Sequence, residues 1–425
     1  MPAPRRVLLV ATTTGYQTGS FRAAAQSLGI ELVLASDRCP QLADPWRDQA
    51  VPIRFHEVKG ALDLLRSQGP FAGIVTSGDR AAVMAAQLAA GLKLPFHSPD
   101  AAALCHDKVA FREALASAGL PAPWVQKFKT DHDPSAAAAA VKFPCVLKPA
   151  ILSGSRGVIR ANDGTSFVSS FQRIRQLLAA PAIRQWKDPG ADWILVEGYI
   201  PGTECALEGW MSTGELNRFA LFDKPDALEG PYFEETIYLT PSSLPSEQRA
   251  LIWDMVEAAA RAAGLGPGPI HAEIRLDGDT AYVLEIAPRS IGGLCGRALR
   301  FRRASSTGPD GRLISLEELL LRAAIGEPVV SWQRENQASG VMMIPIPKTG
   351  VLEEVGGVDQ ARKIAGIEAV EITAKLGEPL QALPEGSCYL GFIFARSVTP
   401  KTVEQALRQA SAQLDIHMRE VLPVA

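Results

Sequence analysis

Cysteine is scarce and scattered in this chain of 425 residues. The six residues, at positions 39, 105, 145, 205, 295 and 388, include no C-x-x-C pair. That spacing excludes a zinc site of the paired-cysteine kind and predicts free thiols in a reducing compartment. An excess of either charge is also missing. Lys+Arg and Asp+Glu number 43 and 46, for a net charge of −3, which leaves no electrostatic footprint for nucleic acid or an anionic membrane. No apolar run approaches the roughly 20 residues needed to span a bilayer. The opening MPAPRRVLLVATTTG turns polar too early for a secretory signal, so a cytoplasmic protein is expected. No G-x-G-x-x-G follows the first apolar strand, and G-x-x-x-G at Gly15 and Gly19 fits neither the dinucleotide nor the Walker pattern. What remains is an ordinary globular composition, 47% hydrophobic and 21% charged, at a length that calls for about two or three domains.

The first hundred residues read as a small α/β unit. RRVLLVA (Arg5 to Ala11) is a buried strand, a helix runs from about Phe21 to Leu28, and Glu31 to Ala35 is a second strand, which makes a βαβ start on a parallel sheet. FAGIVT (Phe71 to Thr76) leads through Ser77-Gly78-Asp79 into an Ala-rich helix predicted to stop at Gly91. His106-Asp107-Lys108 then opens a helix through Leu115. Lys108 falls in its first turn, where the helix dipole slightly disfavours a cation.

Further along, an apolar strand ending in Lys148-Pro149 runs into ILSGSRGV. Ser153, Gly154, Ser155 and Gly157 there offer many backbone N–H groups with little bulk, which suits a loop wrapped over phosphates. WILVE brings Glu197 to a strand end, where it could take a nucleobase amino group while Tyr199 and Ile200 read the base edge. Glu204, on the next strand, could take ribose hydroxyls. The plain alternative is a pair of hairpin-flanking glutamates.

The densest pattern is PIHAEIRLDGDTAYVLEIAPRSIGG, Pro269 to Gly293, which reads as a hairpin turning at Gly278. Alternation puts His271, Glu273 and Arg275 on one face. With Gly278-Asp279-Thr280 as the loop, Asp277 pairs with Ala281 and Glu273 lies across from Glu285. Opposed carboxylates on paired strands repel unless something offsets them. A hard divalent cation with bound phosphate oxygens would do so, and Arg289 could hold an anion. A solvated face of mixed charge, or a two-residue loop that shifts the partners by one, is the competing reading.

Four blocks, HDKVAFREALASAGLPAP, FPCVLKPAILSGSRGV, ILVEGYIPGTECALEG and HAEIRL…YVLEIAPRSIGG, occur in that order over about residues 105 to 300. Together they resemble the ATP-grasp superfamily of carboxylate–amine ligases. SGVMMIPIPKTGVLEEVGG…GEPL and LPEGSCYLGFIFARSVTPKTVEQAL are similar to the C-terminal domain of the L-amino-acid ligases, which join two amino acids into a dipeptide.

The resemblance implies an α/β and α+β multidomain fold in three parts. These are an N-terminal doubly wound α/β domain (1–104), an ATP-grasp domain (105–330) with a mobile lid over about 120–194, and a C-terminal α+β domain (331–425). It implies that Lys108 and Lys148 contact ATP phosphates, that the 153–157 loop closes over them, and that Glu197, Tyr199 and Ile200 meet the adenine and Glu204 the ribose. Glu273 and Glu285 become ligands of Mg²⁺, with Mn²⁺ as a substitute.

Arg289 is assigned to the acyl phosphate and, with Lys148, to catalysis, and Gly292 and Gly293 to close approach of the reacting carboxylate. Glu234 and Glu235 are candidates for a substrate ammonium and Lys224 for an added positive charge. Relatives often carry Asn two residues after the second metal-binding Glu; this chain has Ala287 there, which cannot ligate. Small-molecule carboxylate and amine substrates are implied, with no nucleic acid or membrane partner, and homodimers are common among such ligases. The rival readings are another carboxylate–amine pair, a biotin-carboxylase-like enzyme, and a non-catalytic ATP-binding module.

Overall fold

The computed structural model describes residues 5–12, 15–38, 50–305 and 311–420. Cys39, and Thr13-Thr14 of the loop after the first strand, lie outside the described residues. The chain opens with four parallel strands, β1 (Arg6–Ala11), β2 (Glu31–Asp37), β3 (Val51–Ile53) and β4 (Gly73–Ser77), in the order β3-β2-β1-β4. Their near-continuous apolar runs suit a sheet covered on both faces. Helix α1 (Thr18–Leu28) connects β1 to β2, α2 (Val58–Gln68) connects β3 to β4, and α3 (Asp79–Leu92) follows β4. Gly91 does not end α3: the helix passes through it to a left-handed Lys93. A Cβ on Gly91 would sit 2.6 Å from Leu62 Cδ2, so glycine there lets α2 and α3 approach. A buried side of α3 overrides the stop signal.

The helix predicted to open at His106-Asp107-Lys108 is α5 (Lys108–Ser117), and a further helix, α4 (Pro99–His106), precedes it. Asp107 separates them and caps α5, its carboxylate accepting from the N–H groups of Val109 (2.9 Å) and Ala110 (3.2 Å). Next comes a four-stranded antiparallel sheet in the order β5-β8-β6-β7, made of β5 (Val125–Lys129), β6 (Cys145–Pro149), β7 (Ile159–Ala161) and β8 (Trp193–Gly198). Helix α6 (Gly164–Ala179) covers one face, and Phe167, Phe171 and Ile174 from it pack on Leu147, Ile159 and Val196. The sequence reading did not anticipate α6. It starts at a capping box in which Asp163 accepts from Ser166 N–H at 2.8 Å.

Among the described residues, eight of the remaining strands form one large sheet, and the others make two three-stranded sheets. From the ATP-grasp-like blocks come β9 (Thr203–Ser212), β10 (Glu215–Asp223), β11 (Ile237–Thr240), β12 (Gly268–Asp277) and β13 (Thr280–Ala287), backed by α7 (Ser246–Ala262). From the C-terminal part come β14 (Ala338–Ile344), β15 (Ile367–Ile372) and β16 (Gly391–Ser397), with α8 (Pro400–Ser411). The order β13-β12-β9-β10-β11-β14-β16-β15 runs without a break between the two groups, because β11 pairs with β14 from Ile237↔Met342 to Thr240↔Ser339. One buried cluster joins Val7 and Leu9 of β1 to Phe219, Leu319, Val341 and Phe392, so the N-terminal sheet and the large sheet share core, while the β5–β8 sheet and α6 pack in a cluster of their own. No helix among the described residues is long and apolar enough to cross a membrane. Among the described residues five cysteines are free, four of them buried.

Candidate active site

The hairpin β12–β13 has the predicted pair by a different route. The turn is two residues, Gly278-Asp279, with Asp277 opposite Thr280. That shorter loop alone would move the partners by one. A bulge between Glu273 and Ile274 restores them, and Glu273 lies directly across from Glu285. The bulge also turns Leu284 toward the same side as the carboxylates, where it lines a cleft; simple alternation had placed it opposite.

That cleft, about 740 Å³, lies between the β5–β8 sheet and the β12–β13 hairpin. Lys108, Lys148, Ser153, Gly154, Ser155, Glu197, Tyr199, Ile200, Glu204, Glu273 and Glu285 all line it, joined by Val146, Val158, Phe233 and Arg275. Residues spread over nearly 180 positions thus share one apolar-walled, charge-ended space. Gly157 is the predicted loop residue that does not line it. Its φ is +72°, a Cβ would meet Pro149 Cγ at 2.6 Å, and its N–H donates to Pro384 O at 2.7 Å. Packing against Pro149 requires a glycine there.

Glu197 is buried between two cations. Arg112 reaches one carboxylate oxygen through Nε (3.2 Å) and Nη2 (3.1 Å), and Lys148 pairs with the other. Burial alone would raise this carboxyl, but the Arg112 and Lys148 charges outweigh it and hold it down at about 2. Arg112 also donates to Val283 O at 3.3 Å, tying α5 to the hairpin. The sequence reading missed Arg112, although it stands four residues after Lys108 on the same helix face. Glu204 is likewise engaged: Arg275 Nε meets one oxygen at 3.0 Å and Lys224 Nζ the other at 2.7 Å. Arg275 Nη1 donates to Ile200 O at 2.6 Å, which fixes the strand-end backbone beside the cleft.

Lys224 and Glu235, candidates for substrate contact, form a buried cluster with the cleft carboxylates Glu204 and Glu273. Lys224 pairs with Glu235, with Glu204, and with Glu273 at 3.6 Å. One oxygen from each of Glu204, Glu235 and Glu273 lies within 4.8 Å of the others, a spacing that could hold a metal ion. Part of the repulsion predicted for Glu273 and Glu285 is therefore offset by protein cations: Lys224 beside Glu273, and Lys108 Nζ 3.9 Å from Glu285. Glu273 resists burial and stays strongly acidic, because Lys224 and His271 face it. Burial and the Glu273 charge push the Glu235 carboxyl up. His271 Nδ1 is 2.5 Å from Glu208 Oε1. Burial works against its imidazolium, yet the Glu208 and Glu273 hydrogen bonds raise it to about 9. Ala287 offers no donor atom and lies opposite His271.

Arg289 is buried but does not line the cleft. It is held by Asp79 at the start of α3, through Nε at 2.7 Å and Nη2 at 2.6 Å, and its Nη1 donates to Ser290 O. Asp79 gave no signal in the sequence beyond a capping position. Gly292 and Gly293 also lie outside the cleft. Gly293 has φ of +60°, and its absent Cβ leaves room for the Phe392 ring, 3.0 Å from that position. Glu234 faces a separate small pocket with Gly154, Gln381 and Tyr389, where burial raises its carboxyl.

A two-stranded carboxylate pair, lysines from two other elements and a glycine–serine loop around one cleft define the class: an ATP-grasp fold. Residues 141–298 match the ATP-grasp domain model, and residues 342–419 match L-amino acid ligase C-terminal domain 2. The chain carries an ATP-grasp domain and the C-terminal domain of the L-amino acid ligases; proteins of the ATP-grasp fold use ATP and a divalent cation.

Several known proteins are similar to it. The L-amino acid ligase of Bacillus licheniformis superposes with a TM-score of 0.80 at 24% identity, over 99% of this chain and 100% of that one, a likeness of fold. The alanine–anticapsin ligase of Bacillus subtilis (strain 168) is 30% identical over 190 residues, which are 42% of this chain and 39% of that protein. An uncharacterised protein of Sinorhizobium fredii (strain NBRC 101917 / NGR234) is 24% identical over 97% of this chain and 83% of its own length.

Proposed function

We propose that this protein joins two L-amino acids into a dipeptide, using ATP and Mg²⁺ and passing through an acyl phosphate. The observation that supports it is the meeting of Lys108, Lys148, Glu273 and Glu285 in one cleft walled by Val146, Val158, Phe233 and Leu284. In this reading the adenine lies among those apolar side chains near Tyr199 and Ile200, with Glu197 at its polar edge and Glu204 at the ribose. Glu197 serves chiefly to hold Lys148, whose ammonium then faces the phosphates with Lys108. The 153–157 loop and the rest of the 120–194 segment close over the nucleotide as a lid.

Glu273 and Glu285 hold the divalent cation, and Mn²⁺ substitutes for Mg²⁺. Their placement fits a hard cation: the donors are carboxylate oxygens on facing strands, and Glu204 and Glu235 back one side. Ala287, in the third position, would supply no ligand to that cation. The cation supplies neutralisation of phosphate charge.

The substrate carboxylate oxygen attacks the γ-phosphorus, and the bond to the ADP oxygen breaks. The amine nitrogen of the second substrate then attacks the acyl carbon, phosphate leaves with the C–O electron pair, and the amine proton is lost. Positioning and charge neutralisation carry such phosphoryl transfer, and Lys148 and Arg289 provide both. Arg289 contributes most where negative charge develops on the acyl group, and Gly292 and Gly293 follow it into that region. The free thiols of the described residues accord with a cytoplasmic location.

The test is a panel of amino-acid pairs incubated with ATP and Mg²⁺, followed by phosphate release and product mass. Phosphate released only when two amino acids are present, with a product one water lighter than their sum, supports the proposal. AMP and pyrophosphate among the products would overturn it, since they signal adenylation.

A further inference from the structure

On the far side of the glycine–serine loop from the cleft lies a second cavity of about 1560 Å³. Leu152, Ser153 and Gly154 line both spaces, so the loop is a wall between them. The floor of the cavity is the C-terminal edge of the parallel sheet: Thr12 follows β1, Asp37 ends β2, Arg54 follows β3 and Gly78 follows β4. Open α/β sheets bind ligands outside this edge of their strands.

The charge of the lining is lopsided. Arg54, Arg80 and Arg156 reach the cavity, against Asp37 and Asp79. Asp79 is already neutralised by Arg289. Asp37 is shared by Arg80 Nη2 at 3.2 Å and Arg54 Nη1 at 3.8 Å. Arg156 Nε donates at 2.7 Å to the main-chain oxygen of Glu385, a neutral acceptor that orients the guanidinium without cancelling its charge. Arg80 is held over the rings of Trp186 (4.6 Å) and Phe55 (5.5 Å), which lowers the entropy lost when it grips a ligand. His56 adds a further nitrogen to the lining.

We propose that this cavity receives a second anionic group, a side-chain carboxylate or a phosphate, on the substrate whose other carboxylate reacts at Arg289. The proposal rests on the ligase reading and names its substrate class: an acidic or phosphorylated amino acid. Asp79 lines the cavity and holds Arg289, so the anion would sit one residue away from the arginine assigned to the reacting group.

The experiment offers the enzyme ATP, Mg²⁺ and all twenty L-amino acids with O-phospho-L-serine, and reads the products by mass. Products containing aspartate, glutamate or phosphoserine support the proposal, and which of them dominates distinguishes a carboxylate site from a phosphate site. A charged hydrogen bond of ordinary strength predicts kcat/KM for L-glutamate about tenfold to a hundredfold above L-glutamine. Arg54→Gln and Arg80→Gln should each cut that ratio about tenfold, while Arg80→Lys keeps part of it. Products made only from neutral or basic amino acids, or a ratio unmoved by both substitutions, would overturn the proposal. If phosphate and dipeptide never form, the ligase reading fails, and a thermal-shift titration then judges the cavity by itself. Stabilisation by L-glutamate over L-glutamine that Arg54→Gln abolishes supports the anion site, and equal response to both overturns it.

Discussion

Two ionic clusters flank the cleft, and their charge ratios are opposite. Around Glu197 two cations, Arg112 and Lys148, surround one buried carboxylate. Around Lys224 the carboxylates of Glu204, Glu235 and Glu273 outnumber the cations even when Arg275, which shares Glu204, is counted. The first cluster is satisfied from within and leaves positive charge over, so it can face phosphate oxygens without losing its own pairing. The second is short of positive charge, and the difference appears in the acidities: Glu197 is pulled down while Glu235 is pushed up. A site that must bind a nucleotide with its cation has reason to keep one surplus of each sign, on opposite sides of the same space.

Breaking the acidic side should have the largest effect on turnover. Glu285→Gln keeps the shape of the side chain but removes a charge from the hairpin pair, and ATP-dependent phosphate release should fall by roughly 10³-fold with the fold intact, a loss of the size seen when a group aimed at transition-state charge is removed. Retained activity in that variant would refute the metal assignment. Breaking the basic side should register as stability. Glu197→Gln leaves Arg112 and Lys148 facing a neutral amide in a buried site, at a cost of about 3–5 kcal/mol in denaturant unfolding.

The same variant gives a pH test. The folded Glu197 carboxyl titrates at about 2, below its ordinary 4.5, so its contribution is present above about 4.5 and lost as pH falls toward about 2. The stability gap between wild type and Glu197→Gln should stay constant from neutral pH down to about 5 and then close; a gap that persists in acid would contradict the pairing. A smaller effect sharpens the contrast between the clusters. Lys224→Met leaves three carboxylates with less compensation and should destabilise the metal-free protein by about 1–3 kcal/mol. Added Mg²⁺ should raise the Tm of that variant more than that of wild type, whereas equal shifts would separate Lys224 from the metal site. The mildest change is Ala287→Asn, which supplies the missing donor and should lower the Mg²⁺ concentration for half-maximal turnover by up to about tenfold.

Local pattern made much of this legible. The first strand, the Lys148 strand with its glycine–serine loop, and the hairpin all declared themselves by apolar runs and turn residues. The Glu273–Glu285 pairing was reached through two compensating features, a shorter turn and a bulge, and no spacing rule reveals a bulge in advance. Asp79 with Arg289, and Lys224 with three glutamates, could not be read because these partners are 11 to 210 positions apart. Their meeting depends on how sheets stack. Gly91 misled for a related reason: it looked like local punctuation, and it is glycine because Leu62 of α2 lies against it.

The unbroken run of strands from β11 to β14 has a bearing on protein engineering. Cutting the chain near residue 330 would not release a free-standing ligase core. It would bare the hydrogen-bonding edge of Ile237–Thr240, and an unprotected apolar edge recruits other chains. Exchanging the C-terminal part with that of a relative, to alter what is joined, therefore requires a graft that carries a strand in the register of Ser339 to Met342. A hybrid lacking it should aggregate before its chemistry can be measured.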